Sequence, residues 1–537
     1  MSLQAGGIEV GAAAGNRVLT GAEILLRTLV ASGVDVCFAN PGTSEMHFVD
    51  ALDRVDGLRC ILGLFEGTVT GAADGYARML DRPACTLLHL GPGLANGLSN
   101  LHNAMRAQSP VVNIIGDHAT YHRHYDAPLT SDIEGTARPF SHWVRTSPNA
   151  RSLAVDGAAA VAAASSAPGR IASLILPADA AWSTVPAETA EGLTPACPSL
   201  PSRPGQEAVE AARRIVASGE PTAIVLASRA TREIPLRLAG QIAAVSGVRL
   251  FAQTHTPRIS RGAGRVEVTR IPYPIDQAIG MLKDFSNIIL VGARPPTAFF
   301  AYPGQPSLLY QPGTRIHELA RADQDLVYAL GALAEALGAT AVQPPVAPAG
   351  PPSGPASGPL TPASIGAVLG ETLPEQAIVI DESITSGRTF LGDTRASAPH
   401  DWILPTGGSI GFALPNAIGA AIACPDRQVV VLESDGSGLY SPQSLWTIAR
   451  ENLNVVVLVF ANHRYQILRN EMAGVGASGA GPKASSLLDL TDPVVDWVRL
   501  ATSLGVEASR AQTIEGLRTA LAAAYAKTGP TVVELPL

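Results

Sequence analysis

Apolar and polar positions repeat along this chain with two periods, and the places where the period changes carry the most information. Around 428–471 a β-branched run at 429–432 breaks abruptly into Glu433-Ser434-Asp435-Gly436-Ser437. A helical spacing follows (Leu445, Trp446, Ile448, Ala449), then a second apolar run at 455–460 that ends in Ala461-Asn462-His463. The order predicted is strand, loop, helix, strand, loop. A right-handed crossover makes the two strands parallel and brings both loops to one carboxyl edge of the sheet. Asp435 and Asn462 are therefore expected to meet.

The same alternation runs through the rest of the chain. Thr20-Gly21-Ala22-Glu23 reads as a capping box opening a helix, with Leu25, Leu26, Leu29 and Val30 on its apolar face and Gly33 at its end. Strands are expected at 34–38, 60–64, 85–89, 111–115 and 173–176, then at 223–227, 248–251 and 288–291, then at 377–381, 429–432, 455–460 and 531–534. One helix is expected to begin near Thr68. This pattern predicts an α/β chain of three doubly wound parallel-sheet units, at 17–185, 206–340 and 362–537, behind a loose tail at 1–16. Residues 186–205 are a Pro-rich linker. Residues 343–361, dominated by Pro, Ala and Gly, are expected to be an exposed connection without a packed core.

Composition narrows the classes. A chain of 537 residues has room for three cores, and 46% hydrophobic content argues against disorder. The net charge of −8 comes without a basic stripe, which argues against nucleic acid or an anionic membrane surface as partner. No signal-peptide pattern or bilayer-length apolar run is present, so the expectation is a soluble, cytoplasmic protein. Cys37, Cys60, Cys85, Cys197 and Cys424 are odd in number, scattered and free of CxxC or zinc spacing. They read as buried thiols in a reducing compartment.

The chemistry begins at Asp435 and Asn462. A carboxylate and an amide oxygen suit Mg²⁺, which keeps few protein carboxylates and takes phosphate oxygens for the rest. Gly436 and Ser437 leave backbone N–H groups free at a helix N-terminus, a good phosphate site. This stretch resembles the thiamine diphosphate motif, Gly-Asp-Gly followed downstream by Asn-Asn. Here Ser434 replaces the first Gly and Ala461 the first Asn, and neither change removes a ligand. The resemblance extends over the whole chain after the tail. It is closest to acetohydroxyacid (acetolactate) synthase large subunits, and the chain is also similar throughout to benzoylformate decarboxylase.

That resemblance implies pyrimidine-binding, middle and diphosphate-binding domains in that order. It implies metal ligands Asp435, Asn462 and the Arg464 carbonyl, with Tyr465 beside the cofactor. Glu66, in Leu64-Phe65-Glu66-Gly67, matches the residue that activates the cofactor's aminopyrimidine. The run Gly407-Gly408-Ser409-Ile410-Gly411 resembles the turn that bends thiamine diphosphate, with the Gly408 carbonyl as acceptor and Ile410 as the apolar wedge. Ile384 and Thr385 fall where the diphosphate is contacted. His89 resembles the decarboxylase's proton-shuttling histidine, and Thr43 stands where that enzyme has a substrate-binding Ser. The second catalytic histidine of benzoylformate decarboxylase falls within 298–302, where this chain has none, whereas synthases usually lack a counterpart of His89. His118, His122 and His124 are spaced compatibly with a metal but do not demand one.

The expected function is a Mg²⁺-dependent decarboxylation of a small 2-oxo acid followed by carboligation, as in acetolactate synthase. The alternatives are a benzoylformate-type decarboxylase releasing an aldehyde, and a non-catalytic cofactor-binding scaffold or regulatory paralogue. The resemblance also implies a homo-oligomer, a dimer or a homotetramer, with active sites between subunits. FAD is compatible with the middle domain, although no motif there requires it. No GxGxxG follows the first strand, which leaves a nicotinamide or flavin oxidoreductase without support.

Overall fold

The computed structural model describes residues 18–190, 194–350, 354–477 and 479–537. The expected tail at 1–16 lies outside the described residues. Three sheets organise the chain. The first has six parallel strands, in the order Arg59–Leu62, Val36–Asn40, Ala84–Leu88, Val111–Asp117, Ile171–Pro177 and Trp143–Thr146. The second has five, in the order Thr269–Arg270, Arg249–Ala252, Thr222–Leu226, Asn287–Val291 and Arg315–Ala320. The third has seven and is centred on Ile378–Glu382, Val429–Ser434 and Val455–Ala461. Helices cover both faces of each sheet, so the central strands are apolar on both sides, as buried parallel strands must be. Val429, Val430, Val431 and Leu432 are all buried.

One strand of the third sheet comes from the middle of the chain. Arg258–Arg261 pairs antiparallel with His400–Ile403. Arg258 then forks onto Asp401, with both hydrogen bonds at 2.9 Å. Burial opposes ionisation of that carboxyl, but Arg258 and Arg427 outweigh it and hold Asp401 far below the usual carboxylate range. A local pattern could not reveal this exchange, because four residues carry no information about which sheet they join.

Four sequence expectations need correction. The helix expected near Thr68 begins at Glu66, because extended Phe65 acts as its N-cap and its carbonyl accepts the Thr68 N–H at 2.9 Å. The strand expected at 85–89 ends at Leu88, and His89 caps the helix Leu90–Ala107 instead. The cysteines are not all buried: Cys60 and Cys424 are half-buried, and Cys197 is exposed although its neighbour Ala196 packs on the first sheet's core. Part of the connection expected to be exposed is docked at Ala347. Ala347 is buried and exchanges backbone hydrogen bonds with Gly264 and Arg265.

The first and third sheets are joined through two helices packed almost backbone to backbone. A side chain at Gly75 would overlap the Asn416 carbonyl, and one at Gly419 would overlap the Ala72 carbonyl. Both glycines are there because only hydrogen fits. Nearby, buried Arg78 pairs with Asp74 and donates to the Leu404 carbonyl at 2.7 Å and to Thr406 at 3.1 Å. With its donors met, this buried charge keeps the partners it needs. Among the described residues no helix is long and apolar enough to cross a membrane.

Candidate active site

On the first sheet, the carboxyl edge gathers Glu66, His89, Glu45 and Thr43. Glu66 is 6% exposed, and its Oε2 accepts a hydrogen bond from Asn96 Nδ2 at 3.0 Å. A Cβ at Gly93 would lie 2.9 Å from Glu66 Oε1 and 3.3 Å from the His89 Cβ. Gly93 thus leaves room for the Glu66 carboxylate against the helix that His89 caps. Nδ1 of His89 lies 2.8 Å from Oε2 of Glu45, which also accepts the Gly42 N–H at 2.7 Å. Glu45 is fully buried, and burial raises its carboxyl above the usual range against the pull of Gly42 and His89. Gly42 leaves room for the imidazole, which a side chain there would overlap, and exposed Thr43 follows it. Sequence reasoning passed over Glu45. Its signal was modest: an acid just past a strand's carboxyl end.

On the third sheet, the ladder pairs Ser434 with Phe460, so the loops after both strands share one edge. Asp435 starts a short helix, its Oδ2 accepting the His463 N–H at 2.7 Å and its Oδ1 the Gly436 N–H at 3.0 Å. Asn462 Oδ1 accepts the Arg464 N–H at 3.1 Å. Burial raises the Asp435 carboxyl, partly offset by His463. Tyr465 lies over Gly436, where a Cβ would come within 2.7 Å of its ring. The Ser437 hydroxyl is turned inward onto Glu433 Oε1 at 2.6 Å, leaving the backbone as what this residue can offer a ligand. Asp435, Asn462 and the Arg464 carbonyl are one carboxylate, one amide oxygen and one backbone oxygen, a hard donor set with little charge of its own.

The glycine turn is braced from the first sheet. Asn103 accepts the Gly407 and Ser409 N–H groups, each at 3.2 Å, and donates to the Ser409 carbonyl at 2.8 Å. Gly408 and Gly411 take φ values of +75° and +82°, which side-chain-bearing residues rarely adopt. Ile410, between them, is half-buried. Glu382 accepts the N–H groups of Gly411, Phe412 and Ala413 at 2.8–2.9 Å. Two residues on, Ile384 has φ +50°. A β-branched residue is strained there, and such strain gathers at ligand sites. Thr385 follows it.

Glu382 sits opposite Glu433 in the ladder, and both are buried. Burial and the neighbouring Asp381 push Glu382 up to about 7, against the three N–H bonds. Burial and Glu382 push Glu433 well above the carboxylate range.

Within 298–302, Phe299 occupies the space against Gly408, where a side chain would overlap its ring. Behind it lies His255, its ring centroid 4.9 Å from that of Phe299. The His255 Nδ1 is 3.2 Å from the Pro405 carbonyl, and its Nε2 is buried without a partner among the described residues. Burial lowers its pKa to about 4. Sequence reasoning missed His255, which lies more than forty positions upstream of the segment where a histidine was sought. Tyr273 lies 5.7 Å from Phe299 and borders a cavity of about 330 Å³ that also touches Tyr302, Arg388 and Glu471. His118, His122 and His124 lie elsewhere, with His122 tilted against both His118 and Tyr125 and His124 against Tyr125. Among the described residues no three His, Cys, Asp or Glu side chains converge as a metal cluster.

Two edges, one carrying an acid and an imidazole and the other a carboxylate, an amide oxygen and a backbone oxygen, coincide with two family matches. The thiamine pyrophosphate enzyme N-terminal TPP binding domain matches residues 19–138, and the C-terminal TPP binding domain matches 389–535. The chain belongs to the thiamine diphosphate-dependent enzymes. Glu66 and His89 fall in the first match, Asp435 and Asn462 in the second, and the middle sheet lies between the two.

Individual thiamine diphosphate enzymes are similar over nearly the whole chain. A Mycobacterium tuberculosis protein provisionally named acetolactate synthase large subunit IlvX is 48% identical over 519 residues, 96% of this chain and 99% of the relative. The benzoylformate decarboxylase of Pseudomonas aeruginosa is 29% identical over 544 residues, 96% of this chain and 97% of that one. Among solved structures, the Rhodococcus jostii thiamine diphosphate-dependent 4-hydroxybenzoylformate decarboxylase superposes with a TM-score of 0.84. It is 25% identical, and the match covers 96% of this chain and 98% of that one.

Proposed function

We propose that this enzyme decarboxylates a 2-oxo acid with an apolar or aromatic side chain and releases the aldehyde. The observation carrying this reading is the Glu45–His89 pair, at the same carboxyl edge of the first sheet as Glu66. Thiamine diphosphate, when bound, supplies the electron sink that decarboxylation requires. Asp435, Asn462 and the Arg464 carbonyl would hold Mg²⁺. The Gly436 and Ser437 N–H groups, with Ile384 and Thr385, would hold the diphosphate. Gly408, Ile410 and Tyr465 would shape the rest of the cofactor's bed. Glu66, only 6% exposed, would hydrogen-bond the cofactor's ring nitrogen. With Glu45 ionised, His89 carries its proton on Nδ1 toward that carboxylate, which leaves Nε2 as the working nitrogen. After taking up a proton from solvent at Nε2, the His89 imidazolium would return it to the carbon that loses CO₂, and the Thr43 hydroxyl would hold the substrate carboxylate. Phe299, Tyr273 and Tyr302 favour the apolar side chain.

Carboligation to an acetohydroxy acid is the second reading, and the 48% identity to the provisionally named synthase favours it. In both readings the enzyme works as a homo-oligomer whose subunits complete each other's sites. Leu64, 46% exposed two residues before Glu66, is an apolar residue such a contact would cover.

The test is product analysis by NMR with thiamine diphosphate, Mg²⁺ and either benzoylformate or pyruvate. Benzaldehyde from benzoylformate supports the proposal. Acetolactate from pyruvate, with benzoylformate untouched, replaces it with the second reading. Glu66→Gln should lower turnover by about 100-fold or more while leaving thermal unfolding unchanged. Wild-type turnover in that variant would remove Glu66 from the mechanism.

A further inference from the structure

A cavity of about 240 Å³ opens between the edge of the middle sheet and the helix Phe390–Asp393 of the third. Arg261, Arg265, Arg270, Arg388 and Arg395 line it, with Glu267 as the one acid among the lining residues. In a chain of net charge −8 this is a local inversion of sign.

The guanidinium groups are short of counter-charge. Arg261 donates to Thr394 Oγ1 at 2.6 Å, to His400 Nε2 at 3.1 Å and to the Leu391 carbonyl, all neutral acceptors. Burial lowers it to about 9. Arg265 bonds the carbonyls of His400 at 2.7 Å and Arg261 at 3.4 Å and Gln376 Oε1 at 3.3 Å, all neutral, and its acidic partner among the described residues is the well-exposed Glu233, at 3.3 Å. Among the described residues, the side chains of Arg270, Arg388 and Arg395 form no hydrogen bond or ion pair. Arg270 is moreover lowered by burial, with only the attraction of Asp381 against it.

Positive groups around a concave, partly dry space focus the potential and concentrate anions. Guanidinium forks match phosphate oxygens in pairs. Val268, Pro272 and Leu391 give the same cavity an apolar wall. None of its lining residues belongs to the Asp435–Asn462 edge, so this is not the diphosphate clamp.

We propose that this cavity binds a small polyphosphate anion, independently of the cofactor. Three or more forks can then be satisfied by one ligand, and the apolar wall can receive an organic group attached to it. Arg388 also borders the 330 Å³ cavity beside Tyr273. Occupancy would therefore reach the wall of the candidate substrate space.

Calorimetry tests this on the holoenzyme, saturated with thiamine diphosphate and with free Mg²⁺ held constant, using inorganic triphosphate as the probe. Saturable binding of one triphosphate per chain is expected, with the thiamine diphosphate still bound afterwards. Arg270→Ala should weaken it by about tenfold or more. The double variant Arg388→Glu, Arg395→Glu should do the same, and because both side chains are exposed its unfolding temperature should stay unchanged. Absence of saturable heat overturns the proposal, as does equal affinity in both variants. Triphosphate that binds only by displacing thiamine diphosphate overturns it too, because the clamp is then the site. Citrate binding as tightly as triphosphate overturns the assignment to phosphate.

Discussion

At the scale of single residues, His89 shows how much a neighbour decides. The imidazole stands one position past its strand, and only buried Glu45, forty-four positions earlier, orients it. Glu45→Ala should lower kcat by about 10–100-fold with a smaller change in KM, and Glu45→Gln should recover part of it. Equal loss in both variants would mean the carboxylate does more than position. His400 offers a pH test. Its Nδ1 faces the Ala398 carbonyl and its Nε2 accepts from Arg261, so it is buried in the neutral form. Burial and Arg261 lower it to about 3, so the unfolded chain takes up this proton first on acidification. Its contribution to stability is complete above about 6.5 and is lost as pH falls toward 3. The unfolding temperature should drop between pH 7 and 4.5, and His400→Asn should flatten part of that slope. An unchanged slope would place the acid sensitivity elsewhere, His255 being the next buried imidazole to replace.

At the scale of elements, the paired helices Glu66–Leu80 and Ala413–Ala423 hold the first and third sheets together. Gly419→Ala would drive a methyl group into the Ala72 carbonyl, and overpacking of this kind costs about 1–3 kcal/mol. Urea unfolding would measure it; a loss below about 0.5 kcal/mol would show that the helices can part cheaply. The elements themselves were largely legible. The capping box at Thr20 forms as read, with the Glu23 N–H on Thr20 Oγ1 at 3.2 Å and the Thr20 N–H on Glu23 at 2.8 Å. The β-branched runs became central strands because burial on both faces selects such residues. The ends were less legible: neither Phe65 nor His89 carries a side-chain cap, so their roles rest on backbone geometry.

At the scale of the molecule, cofactor binding should couple to stability. A ligand held only by the folded chain adds about 2.7 kcal/mol at a hundred times its Kd. Thiamine diphosphate with Mg²⁺ should raise the unfolding temperature, and EDTA should reverse the rise. Asp435→Ala should abolish the Mg²⁺-dependent part. A full magnesium response in that variant would place the metal on other ligands.

The sequence by itself determined the alternation of strands and helices, and through it three sheets whose central strands run parallel. It also located Asp435 and Asn462 at one edge, because a right-handed crossover has few alternatives. Local chemistry needs only neighbours in the chain, and these features are local or one crossover apart. The tertiary structure alone decided which distant groups meet. It put Glu45 on His89, set both His89 and Glu66 against Gly93, laid Phe299 and His255 behind Gly408, and faced Glu382 with Glu433 inside the sheet. It also carried 258–261 into the third sheet and ringed one cavity with arginines. None of these contacts leaves a period or a spacing behind. Each follows from how the sheets pack, and packing depends on every side chain at once.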